Sequence, residues 1–185
     1  MSKNDYNKSI KNTAYKKVPI STFSFLFGEM IQYVSSKTSS DKEFDLEEKL
    51  SSLGYPIGEK ILELCSLRDK NFKKSTKIVD MLQFIFNNVW KILFDKQADG
   101  LQKSTDEEDE YRIIENNPIT NKYSPSGLNQ SNYASFLGGM IEGILNSADF
   151  RCKVNTFFYN VDNIIKTYYI IKFDHDVIER DAKTK

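Results

Sequence analysis

Residues 151–173, RCKVNTFFYNVDNIIKTYYIIKF, are the strongest indication of the fold class of this chain. It contains two runs rich in β-branched and aromatic residues, Arg151–Tyr159 and Ile164–Phe173. Between them lies a short polar turn, Asn160–Asn163. Two runs of this kind around a turn are typical of a β-hairpin. The C-terminal part of the chain is therefore predicted to form a pair of antiparallel strands.

A helix rich in glycine is predicted just before this hairpin, from Tyr133 to about Asn146. Its apolar residues recur at helical spacing. Gly139, Gly143 and Ser147 are four residues apart and fall on one side of the helix. Because these side chains are small, the pattern predicts a groove where another backbone can approach closely.

Two further strands are predicted upstream of the glycine-rich helix. Tyr111–Ile114 alternates as a strand does, Asn116–Pro118 supplies turn residues, and Ile119–Tyr123 is predicted as the return strand. Asp95–Asp109 before them is polar and is predicted as a solvated loop. The dense acidic residues at 106–110 belong to this exposed segment.

Helices are predicted throughout the N-terminal half. Their expected ranges are about Thr22–Ser35, Leu46–Leu53, Ile57–Leu67 and Ile78–Phe94. Gly54 is predicted to end the second of them, because glycine readily adopts the positive φ of a helix C-terminus. Helices, two strands, a helix and two strands together predict an α+β fold, with helices on one side of a four-stranded antiparallel sheet.

Apolar residues in these helices exceed what one small core needs. In the first helix, Phe25 and Tyr33 lie off the main apolar stripe. Ile78–Phe94 is apolar around most of its circumference and is predicted to be central to the core or buried from two sides. An excess of aromatic surface favours a protein-binding function. The candidate partner interface consists of Phe23, Phe25, Phe27, Met30 and Tyr33.

Composition and charge argue against several classes of function. Lys+Arg and Asp+Glu balance at 26 residues each, so no net field attracts nucleic acid or an anionic membrane. No secretory signal or membrane-spanning segment is expected. Residues 1–17 are polar and are predicted to be a disordered arm, and residues 18–185 a single domain.

The residues give no sign of catalytic chemistry. The sole histidine, His175, is flanked by Asp174 and Asp176, which point the other way on an extended segment. No catalytic, cofactor-binding or metal-binding residue is assigned, and the chain is predicted not to be an enzyme. Ile57, Ile61, Leu64 and Cys65 are predicted as one inward helix face. Two cysteines do not make a disulfide framework in a chain of this size, so Cys65 and Cys152 are expected to be reduced, part-buried thiols.

A lipid-binding function is the alternative to partner binding. On this hypothesis an apolar channel between helices and sheet holds an acyl chain, attached to Cys65. The packed thiol is the simpler interpretation of the same position, because Cys65 lies beside Leu64 on the inward face of its helix.

Three segments in the order found here resemble a known family. Leu53–Gly58 (LGYPIG) is similar to the G-Y-x-x-G hinge of the small Bet-type subunits of the TRAPP (transport protein particle) complex. Ile114–Ile119 (IENNPI) resembles that family's E-N-N-P turn, and Tyr133–Gly143 (YASFLGGMIEG) its last long helix, which carries glycines. The resemblance extends over about residues 20–180 and leaves out the N-terminal arm.

The resemblance implies an α/β plait, with about five helices packed on a twisted four-stranded antiparallel sheet. It implies a non-catalytic core subunit of a vesicle-tethering assembly, cytoplasmic and peripheral at ER and cis-Golgi membranes. Other small TRAPP subunits are the implied partners, with a heterodimer to the acylated Bet-type subunit through the first helices. The assembly would serve ER-to-Golgi transport as a guanine-nucleotide exchange factor for a Rab GTPase.

Acylation itself is not carried over by the resemblance. The acylated relative has its cysteine in the link just before the long helix, and the matching link here, Arg68–Phe72, has none. Cys65 lies about one helical turn earlier. The resemblance identifies no Rab-contacting residue in this sequence.

Overall fold

The computed structural model describes residues 18–37, 43–68, 75–122, 132–161 and 164–183. The predicted arm, residues 1–17, lies outside the described residues. The helices are α1 (Ile20–Ser36), α2 (Glu43–Arg68), α3 (Ile78–Phe84), α4 (Trp90–Phe94), α5 (Ile119–Lys122), α6 (Ser135–Ser147) and α7 (His175–Lys183). A π-helical turn, Ile85–Val89, joins α3 to α4 without a break. The strands are β1 (Gly100–Lys103), β2 (Glu110–Asn116), β3 (Cys152–Val161) and β4 (Ile164–Phe173).

The strands form one antiparallel sheet in the order β1-β2-β4-β3. Residues on one face, among them Ile113, Tyr169 and Ile171, are fully buried, because the helices cover that face. The residues that alternate with the buried ones along each strand, such as Phe157 in β3, stay partly exposed on the outer face. The predicted α+β class, with helices on one side of a four-stranded antiparallel sheet, is confirmed.

The identity of the fourth strand differs from the prediction. Ile119–Lys122 is a helical turn, and β1 lies inside the stretch predicted as a solvated loop. Asn117 adopts a positive φ of 50°, which turns the chain away from the sheet before Pro118. β1 is held to β2 instead, where Asp99 Oδ2 accepts a hydrogen bond from the Asn116 N–H at 2.8 Å.

The predicted helix end at Gly54 is wrong, because α2 runs through it as one helix of 26 residues. A Cβ at Gly54 would lie 2.0 Å from the carbonyl oxygen of Phe136 in α6, and one at Gly58 2.1 Å from that of Met140. These glycines therefore let two helix backbones touch. They are not caps.

The groove predicted in α6 is filled by α2. A Cβ at Gly139 would lie 1.9 Å from the Ser51 carbonyl oxygen, and one at Gly143 2.1 Å from that of Tyr55. Each helix thus presents glycines to the backbone of the other, which brings their axes closer than ordinary side-chain packing allows. The prediction of a close backbone approach is confirmed.

The helical stretch from Ile78 to Phe94 lies at the centre of the core. Trp90 is 2% exposed, and its ring meets that of Tyr169 edge-on at 5.9 Å between centroids. At its start, Asp181 Oδ1 in α7 accepts a hydrogen bond from the Ile78 N–H at 2.8 Å. The C-terminal helix therefore satisfies one of the free N–H groups that a helix start leaves unbonded.

Candidate partner interface

The inner face of α1 is anchored in the core. Phe27 is 5% exposed and its ring lies edge-on to that of Phe136, 5.5 Å between centroids. Ile31 and Val34 are also buried. Phe23 stacks on Phe27 at 5.4 Å and is partly buried. Of the predicted interface residues, Phe27 thus belongs to the core of this chain.

The outer face of α1 carries large apolar side chains in solvent. Phe25 is 78% exposed, Leu26 71% and Tyr33 66%. At 100° per residue these three fall within roughly a quarter turn of the helix, opposite the buried residues. Met30 is partly buried at the margin between the faces. The structure therefore leaves Phe25 and Tyr33 exposed, as predicted, and adds Leu26 to them.

A second apolar stripe lies along α2, which packs against α1. Its exposed members are Leu53, Ile57, Leu64 and Leu67, between 37% and 54% exposed. Together with Lys60 they follow the 4-3-4-3 spacing of one helix face. The prediction that Ile57 and Leu64 face inward is wrong. The stripe begins at Leu53, before Gly54, and it forms one face only because α2 continues through that glycine.

The inward stripe of α2 consists of Leu46, Leu50, Gly54, Gly58, Ile61 and Cys65, all of them buried. Cys65 is 3% exposed, so its thiol is part of the core. Cys152, at the start of β3, is buried as well. Burial, reinforced by the Glu142 carboxylate, raises the pKa of the Cys152 thiol far above its ordinary value. The Cys152 thiol is therefore protonated and unreactive at neutral pH.

The E-N-N-P segment supplies a buried carboxylate that has a structural role. The Glu115 side chain is 1% exposed, and Lys96 Nζ lies 3.0 Å from its Oε1. The Tyr169 hydroxyl donates a hydrogen bond to its Oε2 at 3.2 Å. Burial, together with this carboxylate, raises the pKa of Tyr169. The group ties the loop after α4 to the middle of the sheet, because each of the three residues comes from a different element.

The polar residues singled out in the sequence do not come together as a reactive site. His175 is the first residue of α7 instead of part of an extended segment, and its side chain is 87% exposed beside Glu179. Glu107, between β1 and β2, pairs with Lys172 in β4, and Glu110 pairs with Arg112. Within the described ranges no three His, Cys, Asp or Glu residues are placed to share a metal ion. None of the described helices is long and apolar enough to cross a bilayer.

Comparison with known proteins gives the family. The family model described as transport protein particle (TRAPP) component matches residues 23–174. Trafficking protein particle complex subunit 5 of Dictyostelium discoideum is 46% identical over 170 residues, which cover 90% of each chain. The human subunit 5 is 34% identical over 167 residues, 89% of this chain and 85% of its own.

A solved structure shares the fold. It is a trafficking protein particle complex subunit 3 from Naegleria fowleri, covalently bound to palmitic acid. Its TM-score is 0.65 at 13% identity, over 84% of this chain and 95% of that one. The α/β plait expected from the sequence is thereby confirmed. Since the family model covers most of the chain and the subunit 5 relatives align over nearly all of it, this chain belongs to the TRAPP component family.

Proposed function

We propose that the chain is a non-catalytic core subunit of the TRAPP vesicle-tethering complex and that it binds a related small subunit through the outer face of α1. Family membership supports the place in a TRAPP complex. The partner is the acylated Bet-type subunit. The assembly promotes nucleotide exchange on a Rab GTPase at ER and cis-Golgi membranes, where the chain associates only through the complex. The family resemblance supports these roles.

The proposed partner surface rests on the exposure of Phe25, Leu26 and Tyr33 on α1, a helix whose inner face is buried in the core. A fully buried Phe or Leu side chain is stabilised by ~1.5–3 kcal/mol relative to an exposed one. Burial of these three side chains by a partner would therefore stabilise the complex by several kcal/mol relative to the free chain. Aromatic residues at the centre of an apolar patch are also the usual anchors of protein interfaces.

The exposed apolar area on α1 and α2 is large enough to support a stable complex. A standard interface buries ~800 Å² on each partner, and a single aromatic side chain contributes ~150–250 Å². The outer face of α1 provides a large part of that area. The α2 stripe, Leu53, Ile57, Leu64 and Leu67, adds apolar surface on the adjoining helix. Its Lys60 is paired with Glu63 at 3.2 Å and places no unbalanced charge on the stripe.

Aspartate substitutions on α1 test the proposal. Phe25→Asp and Tyr33→Asp are expected to abolish co-purification with the other small TRAPP subunits while the fold stays intact, because both side chains point into solvent in the free chain. Val79→Asp is the matched control. Val79 is 44% exposed at the start of α3 and belongs to neither α1 nor α2, and an acidic residue is tolerated at a helix N-terminus. Co-purification of Phe25→Asp at the wild-type level would contradict the proposal.

A further inference from the structure

Strand β3 is an edge of the sheet and runs for 10 residues. In an antiparallel sheet, alternate residues of an edge strand direct their N–H and C=O groups away from the neighbouring strand. Such groups are a template for pairing with another chain unless something covers them. The hydrogen bonding of these outward groups differs between the first and the second half of β3.

The first half of β3 is covered by polar side chains from α6 and the segment before it. Three hydrogen bonds do this: Asn146 Oδ1 accepts from Cys152 N at 3.0 Å, Glu142 Oε2 accepts from Val154 N at 2.9 Å, and Asn132 Nδ2 donates to Thr156 O at 2.9 Å. These bonds also fix the phase of the strand. The even-numbered residues of β3 direct their backbone groups away from β4.

Phe158 is the next residue in that phase, so its N–H and C=O point outward. Neither group is hydrogen-bonded to any of the described residues. Phe157 and Tyr159 flank it on the outer face, 48% and 60% exposed. The run Phe157–Val161 contains no charged residue, proline or glycine, so it lacks the residues with which edge strands ordinarily discourage pairing.

We propose that this half of β3 accepts an extended segment of a neighbouring TRAPP subunit as a fifth strand of the sheet. The inference rests on the proposed function, because the occupant is another member of that assembly. The N–H and C=O of Phe158 can form hydrogen bonds with the main chain of an extended segment. A helix cannot replace that segment, because its own main-chain groups are already bonded to each other. Uncharged apolar residues of the segment would face Phe157 and Tyr159.

The cover on the first half limits the length of the incoming strand. It must end where Asn132 bonds Thr156, so it pairs over only about four residues. A second copy of this chain fits less well. In a two-fold pairing centred on Phe158, the β3 strand of each copy would lie beside the covered half of the other. Glu142 and Asn132 already occupy the hydrogen-bonding groups there. The occupant is therefore a short segment of a different subunit.

Amide hydrogen exchange at single-residue resolution tests the inference, with the free chain compared to the chain in its complex with the other small TRAPP subunits. The Phe158 amide is expected to exchange at least roughly tenfold more slowly in the complex, because it gains a hydrogen bond. The Val154 amide is the internal control, since Glu142 bonds it in both states. Unchanged exchange at Phe158, with α1 protected, would overturn the inference and leave the proposed function standing. A wild-type chain that enters no complex would overturn both.

A charged substitution gives the second test. Tyr159→Lys places a lysine beside the open edge and is expected to remove the protection of Phe158 and release the subunit that supplies the strand. Asn155→Lys is the matched control, because Asn155 lies on the same exposed face beside the covered half. Equal effects of the two variants would refute the assignment. A self-dimer of the free chain that Tyr159→Lys dissolves would assign the edge to a second copy and overturn the proposed occupant.

Discussion

The crossing of α2 and α6 leaves no room for a side chain at its glycines, so Gly139→Ala is expected to destabilise the fold. The added Cβ would lie 1.9 Å from the Ser51 carbonyl oxygen and 2.7 Å from its carbonyl carbon. Ordinary contacts begin at 3.4 Å, so the two helices must separate locally by about 1.5 Å. No rotamer change relieves the clash, because the obstacle is backbone.

The expected cost follows from two opposing effects. Overpacking of a close-packed interior costs ~1–3 kcal/mol, while alanine gains ~1 kcal/mol over glycine in helix propensity. Separation of the helices would also open the contacts at Gly54, Gly58 and Gly143. Because four glycine contacts are affected together, we expect overpacking at the upper end of its range, ~3 kcal/mol, and hence a net loss of ~2 kcal/mol after the propensity gain. For a domain of this size that lowers Tm by ~4–8 °C.

Thermal unfolding of the isolated chain, followed by circular dichroism, measures this loss. Gly28→Ala is the matched control, because no described atom lies within 4 Å of a Cβ added there. It is a helical glycine in α1 and should gain ~0.5–1 kcal/mol from propensity alone. If Gly139→Ala proves as stable as Gly28→Ala, the account of a glycine-mediated helix contact is refuted.

Three other predictions concern the C-terminal helix and the two thiols. Asp181→Ala should cost ~1 kcal/mol in urea unfolding, because Ile78 loses its hydrogen-bond partner, whereas Asp176→Ala, at an exposed position, should change stability little. Because the native Cys152 thiol stays protonated while the unfolded one ionises above pH ~8.5, stability should be retained below that pH and fall as the pH rises above it. Cys152→Ala should flatten that fall in a pH series of urea unfolding. The intact mass should equal that of the bare chain; an added acyl mass on Cys65 would favour the lipid-binding alternative.

Much of the fold could be predicted because hydrophobic period and turn chemistry are local signals. Two runs rich in β-branched and aromatic residues around a polar turn predict the hairpin of β3 and β4, and helical spacing predicts α6. β1 was missed because Gly100–Lys103 is short and has no alternating pattern. Its pairing with β2 depends on Asp99, which is distant in sequence from the Asn116 amide that it binds.

The glycines show why the α2 prediction failed. Gly54 followed by Tyr55 and Pro56 is a strong local signal for a helix end, but tertiary contact with α6 uses the same glycine for close packing. The role of Gly54 in close packing becomes visible only when α6 is placed beside α2. The outer face of α1 was partly predictable, since Phe25 and Tyr33 lie off the main stripe, whereas Leu26 could be placed only once the helix was seen against α6.

The mass of the complex formed by the wild-type chain shows whether the outer face of α1 binds a related small subunit. Size-exclusion chromatography with light scattering would be run on the chain alone, on the other small TRAPP subunits alone, and on their mixture. We expect a new species in the mixture with the mass of a heterodimer, absent when Phe25→Asp replaces the wild type. A wild-type chain that stays monomeric in that mixture would contradict it.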